Sequence, residues 1–89
     1  MPELSRFEGI TVSMYFDDKQ KHHKPHIHAR CGEHEIVVGL DGELLEGEFP
    51  KKKLVLLQSW LILYENELYM AWNNAVRNLP IVKINPLRK

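Results

Sequence analysis

A chain of 89 residues, 44% of them hydrophobic, reads as one small domain (residues 1–89), near the lower limit for a self-sufficient core. Its 12 basic and 12 acidic residues cancel, so no global charge steers it toward nucleic acid or an anionic membrane. No stretch approaches the ~20 apolar residues of a membrane span, Met1 to Arg6 carry no signal-peptide run, and the lone Cys31 cannot close an internal disulfide; a cytoplasmic location is expected.

Residues 1–8 read as a polar lead-in. From Gly9 the chain alternates, and a strand over 10–17 is expected. Ile10, Val12, Met14 and Phe16 then face the core, and Thr11, Ser13, Tyr15 and Asp17 face the other way. A polar loop follows to Lys24. It leads into Lys21-His22-His23-Lys24-Pro25-His26-Ile27-His28-Ala29-Arg30, which holds four of the five histidines. Pro25 fixes its own φ and pushes Lys24 toward extended geometry, so a second strand should begin at His26. In that strand His26, His28 and Arg30 share one face, and Ile27, Ala29 and Cys31 share the other.

Gly32-Glu33 reads as a two-residue hairpin turn, with Gly32 able to take the positive φ of a type II′ turn. Pairing Cys31 with His34 sets Arg30 opposite Glu35, Ala29 opposite Ile36, His28 opposite Val37 and Ile27 opposite Val38. A slip of one residue would spoil both the apolar and the charged matches. A second turn at Asp41-Gly42 is expected to be type I′. It pairs Leu40 with Glu43, Val38 with Leu45 and Val37 with Glu46, which places Glu46 on the histidine face.

After Pro50 the period becomes helical. Leu54, Leu57, Leu61 and Tyr64 form a stripe that Leu56, Trp60 and Leu63 widen. Val55 and Ile62 fall on the side of Gln58 and Ser59, so this helix is apolar almost all round. The polar Glu65-Asn66-Glu67 is expected to break it, one unbroken helix being the alternative. Leu68, Trp72, Ala75 and Val76 continue on a second helix ending near Asn78. Pro80 stops that helix, and Ile81-Val82-Lys83-Ile84 can close the sheet. The expected class is α+β: a mostly antiparallel sheet, in the order β-β-β-β-α-α-β, with two helices packed on one face.

The chain resembles a family of small bacterial proteins, the domain-of-unknown-function family 4160. The resemblance runs over nearly its whole length. It rests on Met1-Pro2, Gly9-Ile10 with Met14-Tyr15-Phe16, and His22 with Pro25-His26-Ile27-His28-Ala29-Arg30. It continues through Gly32-Glu33, Glu46-Gly47 with Pro50, Trp60, Glu67-Leu68 with Trp72, and Ile84 with Pro86-Leu87. The family often has two prolines before His26 where this chain has Lys24-Pro25, and commonly Tyr where Cys31 stands; His23 is additional here. Genes of the family often neighbour those of another small family, in pairs sometimes described as toxin–antitoxin modules. The resemblance thereby implies a protein partner, with RNA as a further candidate.

Three functional readings are open, and whether the protein is an enzyme is among them. In the first, the histidine face binds a phosphate-bearing ligand such as RNA, with Lys24, Tyr15 and Glu46 as ligand-binding residues. Catalysis there would be metal-independent RNA cleavage, needing no cofactor. His26 or His28 would move a proton, Arg30 would hold phosphate, and Glu35 or Glu46 would orient an imidazole. An ordinary Arg30–Glu35 ion pair is the plainer account of those two residues. In the second, His26 and His28 with His22 or Glu46 ligate zinc, although no Cys-x-x-Cys or His-Glu-x-x-His supports it. In the third, the apolar helix docks a small protein partner or another copy of the chain. The plainest reading of the histidines is solvated surface. A DNA-reading helix over 51–78 is disfavoured, since Arg77 is the sole base on its second half.

Overall fold

In the computed structural model, residues 3–15 and 24–87 are described. Five antiparallel strands lie in chain order across one sheet: β1 (Glu3–Phe7), β2 (Ile10–Ser13), β3 (His26–Cys31), β4 (His34–Gly39) and β5 (Leu44–Gly47). Two helices follow, α1 (Lys51–Leu63) and α2 (Glu65–Val76). This is the α+β arrangement expected, an antiparallel sheet followed by two helices. It differs in detail at its two ends.

β1 occupies residues read from sequence as a polar lead-in. Glu8 and Gly9 both have positive φ, 50° and 77°, and join Phe7 to its partner Ile10, as in a type I′ hairpin turn. Glu3 faces Ser13 but Ser5 faces Val12, so a bulge interrupts the alternation. Leu4 and Ser5 are therefore buried in succession. At the other end, residues 81–84 form no strand among the described residues. The Ile84 N–H donates to the Leu4 carbonyl at 2.8 Å, which ties that segment to β1 by one bond.

The β3–β4 hairpin has the expected register at every position from Ile27↔Val38 to Cys31↔His34. Gly32 has φ 60° while Glu33 does not have positive φ, which is the II′ pattern. The next connection departs from expectation. Gly42 N–H bonds the Gly39 carbonyl and Gly39 N–H bonds the Glu43 carbonyl, both at 2.8 Å, making a three-residue loop (Leu40 to Gly42, with Gly42 at φ 94°) rather than a tight I′ turn. Val38 consequently faces Leu44, not Leu45, and a bulge restores Val37↔Glu46.

Pro50 caps α1 and its carbonyl accepts from Leu54 N–H. The helical run does break, at Tyr64, and Glu65 and Glu67 form the acidic first turn of α2, where they suit its dipole. α2 ends in a Schellman motif. Asn78 takes φ 62°, Leu79 N–H bonds the Asn74 carbonyl, and Asn78 N–H bonds the Ala75 carbonyl. The core gathers Ile10, Val12, Met14, Ile27, Ala29, Ile36 and Val38 from one sheet face with Leu57, Trp60, Leu61, Leu68 and Trp72 from the helices. Leu63 and Val76, expected on the apolar stripes, are exposed. No helix among the described residues is long and apolar enough to cross a membrane.

Candidate functional site

The helices cover one face of the sheet, and the other carries the polar side chains that alternation sends there. Two cross-strand rows organise it. Arg6 faces Thr11, Thr11 faces Arg30, and Arg30 faces Glu35, in a row across four strands. Glu3, Ser13, His28, Val37 and Glu46 form the next row by the same successive pairings. With strands about 4.8 Å apart, the two arginines stand about 10 Å from each other, Thr11 between them.

A concavity of about 310 Å³ opens over these rows, lined by Glu3, Arg6, Thr11, Ser13, Tyr15, His28, Arg30 and Glu35 beside Ala29. Four site residues expected from sequence, Tyr15, His28, Arg30 and Glu35, are brought together here. Arg30 and Glu35 form the cross-strand ion pair, at 3.5 Å and well exposed. Glu3 and Arg6 were missed because β1 was. Their own pair is 2.8 Å. The Phe7-Glu8-Gly9-Ile10 stretch was the available signal: a hairpin turn there sets Arg6 opposite Thr11. The Tyr15 and His28 rings meet edge to face, centroids 4.7 Å apart.

Three expected site residues fall outside the concavity. His26 is fully buried, its ring 5.1 Å from that of Trp72 and 5.6 Å from that of His28. The Lys24 carbonyl lies 2.8 Å from His26 Nδ1; a carbonyl only accepts, so Nδ1 carries a proton there. Strand alternation cannot show that a helix residue will cover a position on the polar side, which is why exposure was expected. Lys24 is held elsewhere: Nζ bonds Asp41 Oδ2 and Glu43 Oε1, each at 2.6 Å. The hydrogen bond that Lys24 donates holds the Asp41 carboxyl below its ordinary value, and donating to both Asp41 and Glu43 pushes the ammonium up. Glu46 is exposed on the histidine side as expected, but Val37 separates it from His28 and it does not line the concavity.

Of the metal set, His22 lies outside the described residues. Among the described residues no three His, Cys, Asp or Glu side chains converge as ligands. Cys31 is half-buried, next to the Gly32-Glu33 turn.

No match is found among the curated proteins. None is found among the solved structures either. The family model described as Domain of unknown function (DUF4160) matches residues 9–73, which takes in the second to fifth strands, all of α1 and most of α2. With most of its length so matched, including the strands that carry Thr11, Tyr15, His28, Arg30 and Glu35, the chain belongs to the DUF4160 family of domains of unknown function.

Proposed function

We propose that the open polar face of the sheet binds single-stranded RNA. The observation that carries this reading is the row Arg6–Thr11–Arg30 flooring a concavity whose side is the Tyr15–His28 ring pair. Guanidinium groups are forked donors suited to phosphate oxygens, and a hydroxyl between them adds a further donor. Rings on an open sheet face offer stacking surface to unpaired bases, a mode that double-stranded nucleic acid cannot use.

The acids set the terms. Glu3 sits on Arg6 and Glu35 on Arg30. Exposed pairs of this kind are worth only ~0–1 kcal/mol, so a phosphate can displace a carboxylate or share the guanidinium with it. Binding is better supported than cleavage. Cleavage needs two proton-transfer groups, and of the two histidines only His28 lines the concavity. Glu35 or Glu3 would have to be the second. A zinc ion would find the adjacent His26 and His28 rings but would need a third ligand. An RNA-binding face would suit one member of the two-gene pairs that the family resemblance implies.

The test is anisotropy with a fluorescent single-stranded RNA of mixed sequence in chelator at low salt. Saturable binding is expected, weakened about tenfold or more by Arg30→Ala or Arg6→Ala, since a hydrogen bond to a charged group contributes ~1.5–3 kcal/mol. Tyr15→Ala should weaken it too, and Lys24→Ala should not. Absence of binding, or binding indifferent to both arginines, ends the reading; shortened RNA would add cleavage to it.

A further inference from the structure

Glu3 and Arg6 are three residues apart on β1, and strict alternation would send them to opposite faces of the sheet. The bulge between Glu3 and Ser5 prevents this. It buries Leu4 and Ser5 together and leaves Glu3 and Arg6 both on the polar face, 2.8 Å apart. A carboxylate is thereby aimed into the concavity. Glu3 pairs with Ser13 and Ser13 with His28, so carboxylate and imidazole stand on either side of the small serine, about 10 Å apart. Tyr15, two residues beyond Ser13, packs its ring on that of His28. The arginine row runs alongside, two residues away on β2 and β3. The two rows differ in chemistry: one sets guanidiniums about Thr11, the other a carboxylate and rings about Ser13. Glu3 is also the more sheltered acid, its side chain 31% exposed against 58% for Glu35.

We infer, resting on the RNA reading above, that the concavity selects guanine: Glu3 reads the Watson–Crick edge of a base that stacks on the Tyr15–His28 pair. An ionised carboxylate only accepts hydrogen bonds. Guanine alone of the four RNA bases sets two donors side by side on that edge, N1–H and the N2 amino group. They match the two carboxylate oxygens. Cytosine and adenine each set one amino donor beside a ring acceptor, and uracil sets one N–H between two carbonyls. Each of these brings at least one acceptor against Glu3. Arg6 holds the reader in place without consuming it. One guanidinium nitrogen bonds Glu3 Oε1, which leaves lone pairs on both oxygens for the base and further N–H groups of Arg6 for phosphate. A carboxylate this near the phosphate row repels every RNA alike. A base that donates to it turns that repulsion into a preference.

Anisotropy of the whole chain with fluorescent oligouridylates carrying G, A, C, U or inosine at one central position tests this. The guanosine RNA is expected to bind about tenfold more tightly than the all-uridine one, the discrimination that a bidentate base contact supplies. Inosine, which lacks the N2 amino group, should lose most of that advantage. Glu3→Gln should bring guanosine and uridine within about twofold, because an amide presents one acceptor beside a donor. Glu35→Gln, in the phosphate row, should shift all the affinities while keeping their order. RNA bound without regard to the central base overturns this inference and leaves the RNA reading standing. So does a preference for another base, or one for guanosine that Glu3→Gln leaves intact or Glu35→Gln erases. Failure of every RNA to bind removes both.

Discussion

His26 and His28 are two residues apart on one strand and end in opposite circumstances. His28 lines the polar concavity with Tyr15 against it, whereas His26 is enclosed beside Trp72 and anchored by the Lys24 carbonyl. The two should therefore respond differently to truncation. His26→Ala leaves a cavity against an indole and removes a hydrogen bond, and should cost about 2–3 kcal/mol. His28→Ala, at a half-open site, should cost less than about 1 kcal/mol while weakening RNA binding. Urea unfolding of both variants measures the difference, and equal losses would mean that His26 is not enclosed. The sequence supports the equivalence of the two histidines because both obey the same alternation. What separates them is a contact with a residue 46 positions away, which no local pattern encodes.

At the scale of elements, the loop before β3 is fastened to the β4–β5 loop by Lys24, which bridges Asp41 and Glu43, and by Leu40 N–H on the Pro25 carbonyl at 3.0 Å. The pH dependence follows from the direction of the shifts. Asp41 is held below its ordinary 3.8, so its contribution is present above that value and is lost as pH falls through the folded one. Lys24 is held above its ordinary 10.5, so its share is complete below that and fades only in strong alkali. Asp41→Asn should thus be less stable than the parent at neutral pH, the gap closing below about pH 4. Urea midpoints across that range test it, and a gap that persists in acid would assign the effect to something other than the ion pair. Farther along, β5 ends at Gly47, with φ 89°, where a Cβ would collide with the Glu35 carbonyl oxygen. Gly47→Ala should cost about 2 kcal/mol or more, read from the thermal midpoint. A variant as stable as the parent would show that β5 can move off β4. The hairpin between β3 and β4 was legible because alternation and turn chemistry agree there. β1 was not, because a bulge puts Leu4 and Ser5 both inside. The three-residue loop at 40–42 departs from expectation because Asp-Gly signals a two-residue turn, and here Lys24, bonded to Asp41 and Glu43, holds a wider one.

The molecule as a whole is a sheet with an apolar face packed under the helices and a polar face that carries the concavity. That division follows from the period-two pattern, and with it Tyr15, His28, Arg30 and Glu35 in one concavity. Global charge gives no help, since 12 bases balance 12 acids. The proposed affinity for RNA would then be local, which makes its salt dependence diagnostic. Each phosphate engaged on a single strand contributes about −0.7 to the slope of log K against log salt. Two guanidiniums, Arg6 and Arg30, should give about −1.4, and Arg30→Ala should halve it to about −0.7. A slope near −4 would require five or six phosphate contacts. The concavity, with its two arginines, cannot supply these. Binding would then be carried by bases elsewhere on the chain, and the arginine row would be only a pair of surface ion pairs. A slope of the expected size that Arg30→Ala leaves unchanged would count equally against the arginine row, because it would show the phosphates resting on other cations.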